Sequence, residues 1–186
     1  MASISTYHHY SNLKEDKFLK LTDSIKNLFD KLIHEGSFDD NEFKYFLGLE
    51  SLVGRSHKYL NYSFTRKNID KNYVKSNSYP DFFKGIDLKN EDFIEVPLFM
   101  MNLFTYSGLM SKNNLDSIND VDLSHLKFVK TDTTFIKSEK IREQLLYVTA
   151  FFNIEHTNNL DTFYKTYDTS TNIIYLKNII EKNILS

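Results

Sequence analysis

Glu50 and His57 are the two residues of this chain whose types and spacing most suggest a polar site. They fall in a stretch of helical periodicity, and a helical wheel places both in the middle of an apolar face that includes Phe43, Val53 and Leu60. A carboxylate directed at a core is costly unless it is paired or hydrogen-bonded. We therefore expect Glu50 to be largely buried and to have a partner.

Two interpretations of this feature are open. In the structural one, Glu50 forms a buried polar bridge to another helix, while Gly54 permits the two helices to pack closely. In the functional one, Glu50 and His57 line a polar pocket or a dimer seam, to which Arg142 of a later helix also belongs. Buried polar bridges are common and active sites are few, which favours the structural interpretation.

The second feature is a basic segment with interleaved aromatic residues. Residues 55–84 contain seven basic and two acidic side chains, a net charge of +5 in a chain whose total is -2. Basic side chains bind phosphates and aromatic faces stack on unpaired bases, so this composition is typical of a surface for single-stranded nucleic acid. The candidate residues are Arg55, Lys58, Arg66, Lys67, Lys71, Tyr62 and Tyr73. In the alternative, the aromatic side chains pack into the core and the lysines solvate a loop.

Standard catalytic and metal-binding motifs are absent. The chain has no phosphate-binding glycine loop, no nucleophile elbow and no zinc-protease helix. Asp122 and His125 have the i, i+3 spacing that metal sites in helical bundles use, but such sites need a second pair, and a solvated helix end is the favoured interpretation. We predict no catalytic residue, no metal site and no cofactor.

The composition excludes further classes. Without cysteine, the chain has no disulfides, thiolate metal sites or cysteine nucleophiles. Its N-terminus has neither the basic nor the apolar region of a signal peptide, and the most apolar stretch, residues 96–110, is too short to span a membrane. We therefore expect a cytoplasmic protein with no membrane partner.

Apolar residues at helical spacing, together with the scarcity of glycine and proline, favour an all-α fold. The predicted helices cover residues 16–34, about 39–60, 91–110 with a bend at Pro97, 115–127, 138–153 and 171–185. Residues 65–90 are predicted to form a long polar loop. Residues 128–136 are β-prone, and a loop is favoured there over a lone strand.

These elements predict a single bundle of five to seven helices with a long polar loop in the middle. Residues 1–15 are expected to be a flexible N-terminal segment and residues 16–186 a single helical domain, because no repeat, low-complexity run or linker divides them. Ser138 is the predicted N-cap of the helix that carries Arg142. Apolar residues on opposite sides of that helix predict that it is covered on most sides.

Two short motifs resemble those of the helical abortive-infection proteins of the AbiV type, which belong to the broad HEPN class. The first runs from Glu50 to Arg55 after an amphipathic helix, and the second runs from Arg142 to Val148. In that family, a helix with a Glu-Glu-x-Gly-Lys-like end precedes a distant Arg-Glu-x-x-Leu-Tyr-Val-like helix. The resemblance covers residues 16–180 and implies an α-helical bundle, dimerisation and a role in stopping phage growth.

The chain departs from this family in two respects. Its acidic–glycine–basic spacing is one residue longer, and Ser51 stands where the family has a second glutamate. The arginine–histidine motif of catalytic HEPN ribonucleases is missing, because no histidine follows Arg55, Arg66 or Arg142 at the required distance. The resemblance therefore carries over no nuclease site.

We expect a non-catalytic helical binding protein that acts on RNA or the translation machinery in phage defence, as the resemblance implies. The alternative is a helical inhibitor or interaction protein, encoded by a phage or a virus, that acts purely by binding a protein partner. The expected partners are therefore a protein, single-stranded RNA or both, and a homodimer stays open.

Overall fold

The computed structural model describes residues 10–36, 38–113, 125–129, 136–154, 156–157, 159–168, 178 and 182. Every regular element in these ranges is helical, which confirms the predicted all-α bundle. The chain divides into two compact units, one that ends at Ile86 and one that begins at Asp87. That residues 16–186 form a single domain stays a prediction. Within the described ranges, no helix has the length and apolar character needed to cross a membrane.

The first unit is built on a hairpin of two helices, α1 (Glu15–Glu35) and α2 (Asn41–Ile69). Asp40 caps α2, because its side chain accepts hydrogen bonds from two backbone N–H groups of the first turn. Gly36 directly follows α1. A Cβ atom at this position would lie 2.5 Å from the ring of Phe38, so the connection needs a residue without a side chain.

Aromatic side chains join the two helices. Phe18 of α1 stacks on Tyr62 of α2, with ring centroids 3.9 Å apart and an interplanar angle of 7°. Tyr59 meets the Phe18 ring edge-on. All three are buried, whereas α1 buries only Thr22 besides Phe18. Because burial of one such side chain contributes about 1.5–3 kcal/mol, this cluster supplies much of the attachment of α1 to α2.

The loop after α2 folds back onto the hairpin, and we call residues 70–86 the return segment. The predicted loop 65–90 therefore begins later than expected, because α2 continues for five residues into it. Near the end of the segment, the Arg55 guanidinium donates to the Lys84 carbonyl at 3.4 Å. Gly85 follows with a φ of 86°, a conformation that glycine adopts without steric cost.

Tyrosine hydroxyls anchor the return segment. Tyr79 donates to the backbone carbonyl of Tyr59 at 2.7 Å, and Tyr73 donates to the Glu15 carboxylate at 2.6 Å. The backbone N–H of Ser76 donates to the same carboxylate. Partial burial works to raise the pKa of Glu15, but the hydrogen bonds from Ser76 and Tyr73 outweigh it and hold the pKa below its ordinary value.

The second unit contains a 3₁₀ helix (Glu91–Glu95) and helices α3 (Phe99–Asn113), α4 (Glu139–Asn153) and α5 (Leu160–Asp168). The 3₁₀ helix, α3 and α4 contact one another. Pro97 separates the 3₁₀ helix from α3, because proline lacks the N–H group that would continue a helix. The predicted helix 91–110 is therefore two elements and not one bent helix.

Helix α4 occupies the residues that the sequence predicts. The Ser138 hydroxyl accepts from the backbone N–H of Ile141, which confirms the predicted N-cap, and donates to an acidic side chain of the 3₁₀ helix. Buried side chains lie on two sides of the helix, with Ile141 and Leu145 on one and Leu146 and Ala150 on the other. The buried side chains thus occupy about half of the circumference of α4, and Phe151 and Phe152 are exposed. That α4 is covered on most sides therefore stays a prediction.

Helix α5 is an element that the sequence analysis does not predict. Its side chains Phe163 and Tyr167 are fully buried, and Asn159 accepts a hydrogen bond from the backbone N–H of Thr162 at its start. An asparagine followed by Leu160, Phe163 and Tyr167 at i, i+3 and i+7 is the signal that could have revealed it.

Several predicted elements lie wholly or partly outside the described residues. These are most of the predicted helices 115–127 and 171–185, and residues 130–135 of the β-prone stretch. Residues 125–129 are helical, so Phe128 and Val129 belong to a helical turn. The prediction of a loop or a strand is therefore wrong for these two residues.

Replacing Glu15 by glutamine should loosen the return segment. Glutamine lacks the negative charge that strengthens the hydrogen bonds from Tyr73 and Ser76. The free energy of unfolding should therefore fall by about 1–2 kcal/mol. Because folding lowers the pKa of Glu15, the stabilisation is present above the unfolded-state pKa and is lost as the pH falls through the folded-state pKa. Urea denaturation should therefore show a full difference between wild type and Glu15→Gln at about pH 7 and a smaller difference at an acidic pH, where the Glu15 carboxylate becomes protonated.

Asp39→Asn is the control, since this exposed carboxylate makes no hydrogen bond within the described residues. It should leave the free energy of unfolding almost unchanged at both pH values. A difference for Glu15→Gln that stays equal at both pH values would contradict the role of its charge.

Candidate functional site

A groove of about 250 Å³ runs between α1 and α2. The residues that line it are Thr22, Ile25, Lys26, Phe29, Glu50, Ser51, Gly54, Arg55 and Lys58. Gly54 faces open space, because a Cβ atom built there would meet no atom of the described residues within 4 Å. The structural interpretation, in which Gly54 permits close packing of two helices, is therefore wrong.

The charged lining of the groove consists of three cations and one anion. Lys26 pairs with Asp30 on α1, and Arg55 donates to the Lys84 carbonyl. Lys58 makes no hydrogen bond or ion pair with any residue that the structure describes, and partial burial lowers the pKa of its ammonium group below the ordinary value. Lys58 is therefore the cation of the groove that is available to a ligand.

Glu50 lies at the edge of this groove and is exposed, so the prediction that it is buried is wrong. The buried stripe of α2 passes through Leu49, Val53 and Leu60. Three residues turn an α-helix by about 300°, which places Glu50 about 60° around the axis from Val53 and outside the stripe. Its carboxylate stays hydrated and needs no buried partner.

The other residues of the predicted polar pocket do not line the groove. His57 is half-buried, and its Nε2 atom lies 2.8 Å from the side-chain amide nitrogen of Asn61. Arg142 is half-buried on α4 and belongs to the second unit. Of the predicted set, Glu50 is the residue that the structure places in the groove.

The basic residues of the predicted nucleic-acid surface fall into two groups. Arg55 and Lys58 line the groove. Arg66 and Lys67 lie in the last turn of α2, and the exposed Lys71 follows it. Cations at the C-terminal end of a helix interact favourably with its dipole, which is a structural reason for part of this charge.

The aromatic residues of that predicted surface contribute to the core of the first unit. Tyr62 is 3% exposed, with its ring on Phe18 and its hydroxyl donating to the Leu13 carbonyl. It has no free ring face for a base, so its predicted stacking role is wrong. Tyr73 is half-buried, with its hydroxyl on Glu15 and its ring against Tyr62. The alternative, in which aromatic side chains pack inward, describes both residues.

Apolar side chains are exposed where the connection joins α1 to α2. This loop-end patch consists of Leu28, Phe29, Leu32, Phe38 and Phe43. Leu28 and Leu32 are 61% and 57% exposed, and the ring centroids of Phe38 and Phe43 are 5.3 Å apart. Because Phe29 also lines the groove, the patch and the groove form one continuous surface. Clustered apolar exposure of this kind is typical of an interaction site.

The apolar face predicted for α1 is buried only in part. Phe18 is covered, but Leu21, Leu28 and Leu32 are exposed. Seven residues make almost two full helical turns, so these three leucines point in nearly one direction. One partner can therefore cover all three together.

Acidic side chains lie at the same end of the hairpin as the loop-end patch. Glu35 pairs with Lys31, and Asp39, Asp40 and Glu42 are exposed in or beside the connection between the helices. Negative charge at this density repels the phosphates of nucleic acids and of anionic lipids. It therefore favours a protein as the partner of the patch.

A buried polar cluster in the second unit has the residue types of a nucleophilic site. The Ser107 hydroxyl lies 2.7 Å from Nε2 of His125, and the Asn153 amide nitrogen lies 3.2 Å from Nδ1. A nucleophilic serine gives its proton to the imidazole. Here the hydroxyl donates to the Phe104 carbonyl, so Nε2 donates to Ser107 and Nδ1 accepts from Asn153. The cluster is a satisfied hydrogen-bond network within the core.

His125 is 5% exposed, so its interpretation as part of a solvated helix end is wrong. Asp122, its predicted neighbour, lies outside the described residues. Among the residues that are described, no group of three or more acidic or histidine side chains could hold a metal ion.

No family model, curated protein or solved structure matches this chain. The resemblance to abortive-infection proteins of the AbiV type therefore stays a prediction. The proposed function rests on the contacts, burial and charges of the described residues.

Replacing Gly108 by alanine should destabilise the second unit. The new Cβ atom would lie 3.2 Å from Cε1 of His125, and the imidazole is held by Ser107 and Asn153. Overpacking of this kind typically costs about 1–3 kcal/mol, which urea denaturation would measure. Gly48→Ala is the matched control in the interior of α2, where a Cβ atom meets nothing within 4 Å.

For Gly48→Ala, the higher helix propensity of alanine should raise the free energy of unfolding by up to about 1 kcal/mol. The two substitutions should therefore have opposite signs. Equal effects would show that the contact with His125 does not constrain Gly108.

Proposed function

We propose that this protein acts without catalysis by binding a protein partner on the loop-end patch and the adjoining groove. The observation that carries the proposal is the exposure of Leu28, Leu32 and Phe43 beside an open groove between two helices. An amphipathic helix docks in this kind of groove with apolar side chains at i, i+3, i+4 and i+7. The partner would add a third helix to the hairpin.

The energetics of burial support this proposal. Covering one leucine or phenylalanine side chain contributes about 1.5–3 kcal/mol, and the patch offers five such side chains, all partly exposed. Because the five are about half exposed, they contribute roughly 4–7 kcal/mol together, and association itself costs at least about 4 kcal/mol. Burial of the partner's own apolar side chains must therefore supply the rest of the roughly 8 kcal/mol of micromolar binding. The acidic rim favours a protein over a phosphate-bearing partner.

The double substitution Leu28→Ser and Leu32→Ser should abolish helix binding and leave the fold intact. Each side chain is mostly exposed, so each change should alter the free energy of unfolding by less than about 0.5 kcal/mol. The probe is a displayed library of roughly 16-residue helical peptides, with the full chain as bait. Wild type should enrich peptides with an apolar stripe, and the double variant should not.

Ile69→Ser is the control, because this side chain is 53% exposed at the other end of α2. The Ile69→Ser variant should bind the same peptides that the wild-type protein selects. Failure of wild type to enrich any helical peptide, or enrichment that survives the double substitution, would overturn the proposal.

A second candidate function is contact with RNA, which belongs with the resemblance to abortive-infection proteins. The observation that favours it is the exposure of Lys67, Lys71 and Phe64 at the C-terminal end of α2. Phe64 is 54% exposed and offers the ring face that Tyr62 lacks. Phosphate neutralisation together with one stacked base would give weak binding without sequence preference.

Replacing Arg66, Lys67 and Lys71 together by glutamine should reduce the salt dependence of RNA binding by about two to three units of slope. Phe64→Ala should weaken binding by about 1–3 kcal/mol and leave the slope almost unchanged. Filter binding of mixed-sequence single-stranded RNA at several salt concentrations measures both quantities. No retention of RNA by wild type at low salt would remove this candidate.

A further inference from the structure

Gly54 occupies a position where glycine has no conformational or packing reason to be. A glycine in the interior of a helix costs about 1 kcal/mol relative to alanine. Its φ is not positive, and no atom approaches closely enough to exclude a Cβ atom. The absence of a side chain at Gly54 leaves a gap in the wall of the groove.

Hydrogen-bond donors surround this gap. Lys58 lies one helical turn after Gly54 on the same side of α2, and Ser51 lies three residues before it. Both side chains line the groove, are half-buried and make no hydrogen bond within the described residues. Arg55 adds a second positive charge, while Glu50 places one negative charge a turn before the gap. The donors and the excess of cations match an anion of the size of a carboxylate.

The floor of the groove leads directly to the loop-end patch. Ile25 and Phe29 supply apolar lining, and Phe29 belongs to both surfaces. A helix that covers Leu28 and Leu32 therefore passes beside the gap above Gly54. Its side chains on that edge can enter the gap.

We propose that the gap above Gly54 receives an aspartate or glutamate side chain of the docking helix, which pairs with Lys58. This inference rests on the proposed function, since the docking helix supplies the carboxylate. The positive charge of the groove thereby selects, among amphipathic helices, those with an acidic residue beside the apolar stripe. Negative charge at the partner would also offset the unfavourable partial burial of the Lys58 ammonium group.

The test uses the helical peptides that wild type enriches. They should carry an acidic residue at one fixed position relative to the apolar stripe. Lys58→Glu should weaken binding of the best peptide by about tenfold or more. Changing the acidic residue of that peptide to lysine should restore its binding to the variant. Fluorescence anisotropy of the labelled peptide measures both dissociation constants, and Lys67→Glu, outside the groove, should leave them unchanged.

Gly54→Leu provides a second test with a separate readout. Leucine has high helix propensity and meets open space at this position, so the melting temperature should not fall. The side chain would fill the gap, and binding of the acidic peptide should weaken by about tenfold or more. A structural role for Gly54 would instead lower the melting temperature.

The other outcomes separate this inference from the proposed function. The inference would be wrong, and the proposed function would stand, if the selected peptides had an apolar stripe but no preference for an acidic residue. The same conclusion would follow if Lys58→Glu did not change peptide binding. Failure to enrich any peptide would overturn both. A dimer of the protein alone that Leu28→Ser with Leu32→Ser converts to a monomer would show that a second copy occupies the surface, and would also overturn the inference.

Discussion

Helices α1 and α2 are held together by the stack of Phe18 on Tyr62, and the arrangement of the first unit follows from this contact. The stack lies near the beginning of α1 and in the last third of α2, at the open end of the hairpin. Tyr79 packs against Tyr62, and Tyr73 reaches Glu15, so the return segment closes around the same cluster. Apolar burial and hydrogen bonding thus act together at one end of the hairpin.

The connected end of the hairpin has no comparable cover from the part of the chain that the structure describes. There the helices are joined by a short connection, and the apolar side chains of the loop-end patch remain exposed. This uneven burial has a physical consequence. The open end of the hairpin is stabilised by its own chain, whereas covering the apolar surface of the connected end would lower the free energy. In the proposed function, the groove beside this surface supplies the polarity and shape that would discriminate among partners.

The polar residues of the two units illustrate how burial decides chemistry. Ser107, His125 and Asn153 have the residue types of a nucleophilic site, but His125 bonds to both of the others and all three are buried. Lys58 is an ordinary lysine by type, yet it is half-buried in an open groove and has no partner within the described residues. The proposed binding role therefore rests on the residue that the fold leaves without a partner among the described residues, and not on the cluster whose residue types suggest catalysis.

Local signals in the sequence determined most of the helices and some of their boundaries. The period of the apolar residues predicted α1 and the first part of α2, and Ser138 was the predicted cap of α4, since caps and amphipathic periodicity act between residues a few positions apart. Asn159 and the apolar spacing after it carried an equally local signal for α5. The sequence also indicated Glu50 and His57, with Gly54 between them, as a possible polar site, although Glu50 is exposed and His57 does not line the groove.

Only the tertiary structure decided which side of each helix is covered. Glu50 is exposed because the buried stripe of α2 lies about 60° around the helix axis from it. When a helix has apolar residues on several sides, the apolar pattern does not resolve an angle of this size. Tyr62 and Tyr73 turned inward because Phe18 and Glu15, more than forty residues earlier in the chain, are their partners. Contacts of that separation depend on how the chain folds back on itself, whereas helix formation depends on neighbours within one or two turns.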